Sequence, residues 1–521
     1  MRYLIYIKFI FAFFVLSNYV HAQNQTPLHY SFQATINSAP ASLPFSNSIT
    51  DIEIQGDTIW LGTGKGLSRS ADGGQIWKNY FRTSPFGEED ISAIAVKGKE
   101  IWVATAHSVE RDGQSLPEGS GIKYSSDGGE SWQSNPQPVD VNNVDTLYWN
   151  SKSLIRALGI TTAINNITYD IAVTDSTVWI CSFAGMARKS NDKGKTWQRV
   201  ILPPDKLNSI SPNDSLVFDL SPSGGALGLQ NNLNHRAFSV FAENDSTIWI
   251  GSAGGINKST DRGKSWIKFT HQNESSPISG NFVVSIGKQT SGTKNIIWAA
   301  TITAEDASEK RGVSFSTDGG ITWSQTLLGE FAHNLGFKNN IAYAATDNGI
   351  FRSSDFGASW MQTGTIYDKS LKQRYTQTGF FTIAAQADTI WCGGSDGIAK
   401  TIDNATSLFG SSWTILHASQ PLSSSGDVYA YPNPFSPNNE VIRIHYSTNG
   451  NDAQVTIRVF DFGMNLVRTV IQNVPRDGAR EHDEMWDGKN DNTKLVPNGV
   501  YFYQVIVGNN EPRWGKILVI K

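Results

Sequence analysis

Acidic residues lie in the long polar segments that separate the apolar runs of this chain, and a pair of them would be its simplest catalytic set. Glycoside hydrolysis needs two carboxylates about 5–9.5 Å apart, one acting as acid and the other as base or nucleophile. The sequence does not select such a pair, and a solvated loop acid is the ordinary interpretation of each. The acids considered are Asp112, Glu118, Asp145, Asp219, Glu305 and Asp306.

Aromatic, amide and basic residues of the same segments favour a binding surface over a catalytic one. Arginine can hold a carboxylate through two N–H groups, and aromatic rings can stack on sugars or peptides. Any one of these residues, taken alone, is more often structural. As a set, we predict that they bind ligand: Tyr148, Trp149, Arg156, Tyr169, His235, Arg236, Asn281, His333 and Asn334.

Other kinds of chemistry find little support in the sequence. It contains no His-Glu-x-x-His, Cys-x-x-Cys or phosphate loop, and we predict no catalytic residue, metal or cofactor. The formal net charge is −4 and no basic stripe is present, which argues against nucleic acid as a partner.

The scaffold that carries these residues is built around a repeated octapeptide, Ser-x-Asp-x-Gly-x-x-Trp. Six copies begin at Ser70, Ser125, Ser190, Ser259, Ser316 and Ser353, and a degraded seventh runs from Thr401 towards Trp413. The carboxylate can accept hydrogen bonds from turn amides, and glycine at the fifth position permits a positive φ. We interpret the octapeptide as a folding device. Its aspartates are Asp72, Asp127, Asp192, Asp261, Asp318, Asp355 and Asp403.

Each copy belongs to a larger unit of four short strands. In the second unit these are 91–96, 101–105, 121–125 and 131–134. The second strand carries an aromatic residue followed two positions later by Gly, Ala or Cys, as in Trp60 and Gly62, so that position must be crowded. Two-residue periodicity and frequent turn residues indicate an all-β chain. Seven units of four strands predict a seven-bladed β-propeller, although six or eight blades remain possible.

The units differ in length at particular connections. Length is added between second and third strands, at 106–120 and 302–311, and between units, at 136–168, 203–235, 271–281 and 364–379. In a four-stranded meander both kinds of connection emerge at the same end. Long loops on a rigid scaffold often carry function, so we predict the ligand face at this end.

The octapeptide resembles the Asp-box, or BNR repeat, of sialidases, sortilin-type receptors, xyloglucanases and a photosystem assembly factor, all of them β-propellers. The resemblance covers roughly residues 45–417. It implies that each box closes the hairpin between the third and fourth strands of a blade, away from the ligand. The Arg-Ile-Pro signature of sialidases is missing, which argues against that activity. A xyloglucanase-like pair of carboxylates stays open as an alternative.

The ends of the propeller region carry targeting signals. Residues 1–22 read as a signal peptide cleaved between Ala22 and Gln23, because a positively charged start precedes an apolar core and small residues. No later segment is apolar for long enough to span a bilayer.

Cys181 and Cys392 are two cysteines in blades that are not neighbours, so we interpret both as buried side chains rather than a disulfide.

After the propeller (23–417) and a Ser-rich linker (418–430), residues 431–521 predict a small β-sandwich. This module begins with Tyr431-Pro432-Asn433-Pro434, contains Trp486-Asp487-Gly488, and ends at Lys521. It resembles the FlgD-like Ig module and the type A sorting domain of the type IX secretion system. The resemblance implies export by outer-membrane secretion machinery. The acidic turn after Trp486 lacks calcium-loop spacing and is interpreted as a plain turn.

The sequence therefore favours a protein secreted by a bacterium, or held on its outer surface, that binds an extracellular glycan or protein. A polysaccharide-active glycoside hydrolase on the same propeller is the alternative from another class. An assembly or adhesion scaffold is a third, which differs from the first mainly in the size of its partner.

Overall fold

The computed structural model describes residues 43–521 apart from 142–145, 150–152, 221–231, 370–372, 376, 419–421, 423, 425, 439–440 and 479–480. The predicted signal peptide, its cleavage site at Ala22–Gln23, and Asp145 lie outside the described residues. Across the part of the chain that is described, no helix has the length and apolar character needed to cross a membrane.

Strands and tight turns form nearly all of the described chain, as the two-residue periodicity predicts. Seven sheets, numbered 1 to 7 here, share one plan in which four consecutive strands pair antiparallel in chain order. Sheet 1 consists of β1 (Ile49–Gln55), β2 (Thr58–Thr63), β3 (Gly66–Ser70) and β4 (Lys78–Asn79). Sheet 2 consists of β5 (Asp90–Lys97), β6 (Glu100–Arg111), β7 (Gln114–Ser125) and β8 (Gln133–Asn135).

Insertions separate the next sheets. The chain first forms β9 (Thr146–Trp149) and β10 (Ser153–Ala157). Sheet 3 follows as β11 (Thr168–Val173), β12 (Val178–Ser182), β13 (Met186–Ser190) and β14 (Gln198–Arg199). A second insertion forms β15 (Ser209–Ile210), β16 (Asp219–Leu220) and a 3-10 turn (Leu233–His235). Sheet 4 consists of β17 (Ala237–Ala242), β18 (Ile248–Ser252), β19 (Gly255–Ser259) and β20 (Trp266–Phe269), with β15 added beside β20.

The remaining sheets repeat the plan. Sheet 5 consists of β21 (Phe282–Ser291), β22 (Lys294–Ile302), β23 (Gly312–Ser316) and β24 (Ser324–Thr326). Sheet 6 consists of β25 (Ala332–Lys338), β26 (Ile341–Thr346), β27 (Gly349–Ser353) and β28 (Met361–Gln362). A short hairpin, β29 (Tyr367–Asp368) and β30 (Gln373–Arg374), precedes sheet 7. Sheet 7 consists of β31 (Phe380–Gln386), β32 (Thr389–Gly394), β33 (Gly397–Ile402) and β34 (Thr414–Leu416).

The first strands of the seven sheets contact one another in a closed cycle. β1 contacts β5, β5 contacts β11, and the series continues through β17, β21, β25 and β31 back to β1. This is the arrangement of a β-propeller, in which sheets are packed around an axis. Sheets 1 and 7 are held together by non-covalent contacts. Among them, Ile52 N–H on β1 donates to the hydroxyl of Thr382 on β31 at 3.2 Å.

The octapeptide turns share one set of hydrogen bonds. In the first copy, Ser70 Oγ donates to Asp72 Oδ1 at 2.7 Å and accepts from Gly74 N–H at 2.8 Å, while Ile76 N–H donates to the same carboxylate at 3.0 Å. The five following copies repeat these bonds. Glycine at the fifth position has positive φ in all six, as predicted.

Crowding after the second-strand aromatic residue also matches the prediction. A β-carbon on Gly251 already lies 2.7 Å from Val283 when built, and further carbons would overlap it. At the same position, a β-carbon built on Gly62 of sheet 1 would lie 3.0 Å from Ile91, and one built on Gly393 of sheet 7 would lie 2.5 Å from Ile49. In each case the neighbour lies on the first strand of the next sheet, so small residues set the spacing between sheets.

Cys181 and Cys392 are both free and buried, in agreement with their predicted role. The segment 106–120 differs from the expected irregular connection, because it continues β6 and β7 as one long hairpin from Ala106↔Gly119 to Arg111↔Gln114. The predicted linker, 418–430, ends too late. Its last three residues belong to β35, which begins at Val428 and pairs there with Tyr446.

The C-terminal residues form two sheets around one core, here called the C-terminal module. The first sheet contains β35 (Val428–Tyr431), β36 (Ile442–Ser447) and β39 (Glu481–Trp486). The second contains β37 (Ala453–Phe460), β38 (Leu466–Arg476), β40 (Gly499–Val507) and β41 (Arg513–Val519). Side chains of both sheets, among them Ile444, Trp486, Ile457 and Val505, pack into a shared buried cluster.

Candidate functional site

The seven first strands begin at the same end of the propeller, here called the loop face. The register shows why: the start of β1 pairs with the end of β2, which pairs with the start of β3. The octapeptide turns lie at the opposite end, after β3. The long connections predicted to carry function therefore lie at the loop face.

Each first strand is interrupted by a bulge near its start. In sheets 3, 4, 6 and 7 the residue skipped by the strand register is aromatic or histidine: Tyr169, Phe238, His333 and Phe381. A bulge adds one residue to a strand and turns its side chain out of the pleat. Rings of neighbouring sheets then meet, because Tyr169 lies 5.4 Å from Phe238 and His333 lies 5.5 Å from Phe381.

Four rings from sheets 3, 4 and 5 form what is here called the aromatic cluster: Tyr169, Phe183, Phe238 and Phe282. Phe238 is at its centre, 4.4 Å from Phe282 and 6.1 Å from Phe183 between ring centroids. All four residues are half-buried, so each keeps part of its surface exposed. The guanidinium of Arg236 lies 5.5 Å over the Phe183 ring, a cation–π arrangement. Burial raises the pKa of Tyr169 to about 12, so its hydroxyl stays protonated.

A smaller group lies on sheets 6 and 7. His333 stacks on Phe331 with centroids 4.3 Å apart, and its Nε2 lies 2.7 Å from Asp347 Oδ1. The carboxylate of Asp347 is half exposed, and only a tenth of the His333 side chain is. Asp347 therefore orients the imidazole towards its neighbours.

Two insertions join in a three-stranded sheet, here called the insertion sheet, with the order β16-β10-β9. Its inner side packs on the core through Trp149, whose indole N–H donates to Ser211 O at 3.1 Å. Its outer side carries Tyr148, which is 76% exposed, opposite Leu154, which is 56% exposed. Arg156 extends from the same side, 3.9 Å from Asp219.

Two further residues of the predicted binding set, His235 and Asn281, make internal contacts. His235 is fully buried, and its Nε2 accepts from Leu202 N–H at 3.1 Å. Burial lowers the pKa of His235 to about 3, so the ring is neutral. Asn281 bonds to Gln272 and Glu309 through its amide nitrogen, at 2.7 and 2.8 Å.

Asn334 follows the bulge of sheet 6 and links two sheets, because its Oδ1 accepts from Ile383 N–H of sheet 7 at 3.3 Å. Asp51 and Asp170 occupy the same position in sheets 1 and 3. They accept from Ile94 and Val240 N–H groups of the next sheets, each at 2.8 Å. An acceptor at this position thus joins neighbouring first strands.

The binding set is therefore divided among several surroundings. Tyr169 and Arg236 meet in the aromatic cluster, His333 lies in a separate group, and Tyr148 and Arg156 lie on the insertion sheet. Phe183, Phe238, Phe282, Phe331 and Phe381 were not predicted. The signal for Phe238 and Phe381 was available, because each is the second residue of a first strand, as Tyr169 and His333 are.

Among the candidate acids, the structure groups Glu118 with His107 and Glu89. His107 Nδ1 lies 2.7 Å from Glu89 and its Nε2 lies 3.3 Å from Glu118. Beside them, burial and the charge of Glu89 raise the pKa of Asp90 to about 7. Burial lowers the pKa of His107, but its bonds to Glu89 and Glu118 outweigh this and raise it overall.

The other described candidate acids lie on three separate segments of the chain. Asp112 lies in the exposed turn between β6 and β7, and Asp219 lies near Arg156. Glu305 and Asp306 are exposed, and Asp306 accepts from Ser308 N–H at 2.8 Å. Among the described residues, no three His, Cys, Asp or Glu side chains are grouped so that they could hold a metal ion.

Comparison with known proteins identifies similar structures but no family. No protein-family model and no curated protein matches the chain. A GH74 enzyme from Niastella koreensis is similar over 93% of this chain and 74% of its own, at 13% identity and a TM-score of 0.49. YCF48 from Cyanidioschyzon merolae is similar over 70% of this chain and 97% of its own, at 14% identity and a TM-score of 0.41.

The WD40 β-propeller domain of Doa1 is similar over 71% of this chain and 97% of its own, at 10% identity and a TM-score of 0.40. These identities and scores are too low to carry function from one protein to another. The propeller assignment rests on the strand order and on the closed cycle of first strands.

Proposed function

We propose that the protein is a seven-bladed Asp-box propeller that binds an extracellular glycan or protein partner at its loop face. The observation that carries this proposal is the aromatic cluster. Four half-buried rings from three neighbouring sheets lie together at the end that also bears the long insertions, with the cation of Arg236 against one ring. Such rings provide a large apolar surface with fixed geometry, suited to the face of a sugar or to an apolar peptide side chain.

The experiment is a retention screen of the mature chain, residues 23–521, in affinity gels containing extracellular polysaccharides, with a parallel peptide array. Replacing Phe238 by Ala removes the ring that contacts both Tyr169 and Phe282, and we expect retention to weaken roughly tenfold, corresponding to about 1–1.5 kcal/mol. Phe462→Ala is the matched control, since that ring is 77% exposed on the C-terminal module. Equal retention by wild type and Phe238→Ala on every ligand would refute the proposal.

A glycoside hydrolase on the same propeller is the second candidate. Its support is the group of Glu89, Glu118 and Asp90, because a carboxyl whose pKa is near 7 can act as a general acid at neutral pH. Against it, two of these acids are engaged by His107. Release of reducing ends from any polysaccharide in the same screen, abolished by Asp90→Asn, would establish hydrolysis and displace the binding proposal.

Export belongs to the same proposal. A bacterial signal peptide ending at Ala22 and a C-terminal FlgD-like sorting module that engages outer-membrane secretion machinery would carry the propeller to the cell surface or the medium. The support is the sequence resemblance, together with the two-sheet core of residues 428–519. Deletion of 427–521 should retain the propeller in the periplasm, and unchanged surface display would contradict the sorting role. Mass spectrometry should find Gln23 as the mature start, and an intact Met1 would contradict the signal peptide.

A further inference from the structure

Two arginines face each other inside sheet 3. Arg188 on β13 and Arg199 on β14 are cross-strand partners, and only 3% and 1% of their side chains are exposed. Like charges directly opposite on neighbouring strands repel each other. Burial makes this costlier, because a charge removed from water needs a partner of opposite sign. This arginine pair therefore calls for compensating negative charge.

One carboxylate serves both cations. Asp140 Oδ1 accepts from Arg188 Nη1 at 2.9 Å, and Asp140 Oδ2 lies 3.4 Å from Arg199 Nε. The same Oδ2 accepts from Ile160 N–H at 2.7 Å, so part of the hydrogen-bonding capacity of this oxygen is already used. Among the described residues, no other carboxylate lies within ion-pair distance of either guanidinium. Counted over the described side chains, one positive charge is left over.

The same two guanidinium groups also carry N–H donors that form no hydrogen bond. Arg188 Nε donates to Gly185 O at 3.0 Å, and Arg199 Nη1 donates to Leu158 O at 2.9 Å. Arg188 Nη2, Arg199 Nε and Arg199 Nη2 are completely buried and form no hydrogen bond to a described acceptor, although Arg199 Nε keeps its 3.4 Å ion-pair contact with Asp140. A buried donor without an acceptor loses the hydrogen bonds that water would supply. Three such nitrogens beside one shared carboxylate form a buried site with donors for a further acceptor.

The corresponding position in other sheets shows what is unusual about sheet 3. In sheet 2 the pair is Lys123 and Ser134, and the ammonium donates to the hydroxyl at 2.9 Å. In sheet 4 it is Asn257 and Lys268, and the ammonium donates to Asp205 O at 2.8 Å. Each of these pairs has a single cation, and each ammonium has an acceptor. Sheet 3 alone among the three has two cations at this position.

We propose that the arginine pair binds one small anion, a halide or a carboxylate-sized oxyanion, beside Asp140. The anion neutralises the surplus charge and accepts from the unpartnered guanidinium nitrogens, as anions bound by arginine commonly do. It also attaches the insertion 136–168 to sheet 3, because Asp140 and Leu158 belong to that insertion. The insertion sheet, with Tyr148 and Arg156, is built on the same segment.

Thermal unfolding of the mature chain tests this at constant ionic strength. Chloride, sulfate or acetate replaces a bulky sulfonate buffer anion in increasing proportion. Since a ligand of the native state stabilises it by mass action, Tm should rise by about 1–2 °C per tenfold increase of the anion concentration above its Kd. The anion that gives the rise identifies the class. A Tm that is independent of the anion would overturn the proposal.

Arg199→Met removes the second cation, and the dependence of Tm on the anion should disappear. Lys123→Met, at the corresponding position of sheet 2, is the matched control and should keep it. An unchanged dependence in Arg199→Met would overturn the proposal. A measurement that needs no variant is anomalous diffraction from wild-type crystals grown in bromide. A bromide peak within hydrogen-bond distance of Arg188 Nη2 and Arg199 Nη2 is expected, and a water at that position with no anomalous signal would refute the site.

Discussion

Gly74, in the first octapeptide turn, lies directly against the indole of Trp391 on β32 of sheet 7. A β-carbon built on Gly74 would lie 2.4 Å from Cη2 of Trp391. The same contact joins Gly129 to Trp60 and Gly320 to Trp249, so the fifth residue of each turn covers the tryptophan of the preceding sheet. Between Gly74 and Trp391 the contact joins the first sheet to the last. The octapeptide is therefore also a contact between sheets.

Gly74→Ala should destabilise the protein by about 2–4 kcal/mol. Its φ of +86° costs about 1 kcal/mol for a residue with a β-carbon, and displacing Trp391 costs about 1–3 kcal/mol more. Urea unfolding measures the loss. Gly364→Ala is the matched control, because its β-carbon meets nothing within 4 Å. Equal stability of the two variants would contradict this account of ring closure.

Tyr343→Phe should destabilise the contact between sheets 6 and 7 by about 1–3 kcal/mol. The degraded seventh turn keeps Asp403, which is buried, accepts from the Tyr343 hydroxyl, and accepts from Arg352 Nε at 2.6 Å. The variant leaves a buried carboxylate with one donor fewer. A double-mutant cycle with Asp403→Asn, followed by urea unfolding, measures the coupling between the two residues. Additive effects would mean that the hydroxyl contributes nothing through Asp403.

His445 should make the C-terminal module less stable at alkaline pH. Burial alone would lower the pKa of His445, but its bonds to Asp483 and Glu481, at 3.0 and 2.7 Å, raise it to about 9. Because the folded pKa exceeds the unfolded value of about 6.5, this stabilisation is fully present below pH ~6.5 and is lost as pH rises through ~9, up to about 3 kcal/mol in all.

Urea unfolding of the mature chain between pH 6 and 10 checks the prediction, with the tryptophan fluorescence change that accompanies loss of the module as the signal. His445→Gln should flatten the decline over this range. A decline of the same size in the variant would show that other groups cause it.

Asp90→Asn should stabilise the protein at neutral pH. Burial and Glu89 raise the pKa of Asp90 to about 7, above its unfolded value of about 3.9, so the charged form is disfavoured in the fold. The advantage of the variant should be absent below pH ~4, grow as pH rises towards ~7, and then level off. Urea unfolding across this range measures it, with Asp112→Asn in the exposed turn as control. An advantage that does not change with pH would contradict the assigned cause.

Much of the fold could be predicted because its signals are local. The hydrogen bonds between Ser70, Asp72 and Gly74 lie within five residues, so the repeated octapeptide specifies each turn without help from the rest of the chain. Strand alternation specifies the meander in the same way. The close packing around Gly62 could also be predicted from the sequence, because only Gly, Ala or Cys occupies that position in each unit.

The candidate site was less predictable, because its members are defined by neighbouring sheets. A bulge turns Phe238 towards Tyr169 and Phe282 of adjacent sheets, and its place as the second residue of a first strand does not show which rings it meets. His235 and Asn281, in turn, lie at predicted loop positions but are buried by contacts with residues distant in sequence, Leu202 and Glu309. The same holds for Arg188 and Arg199, which become cross-strand partners only when β13 pairs with β14. The turns, the strand alternation and the repeat could be predicted because each is a pattern of neighbouring residues. Burial and contacts between side chains could not, because they depend on how the sheets pack against one another.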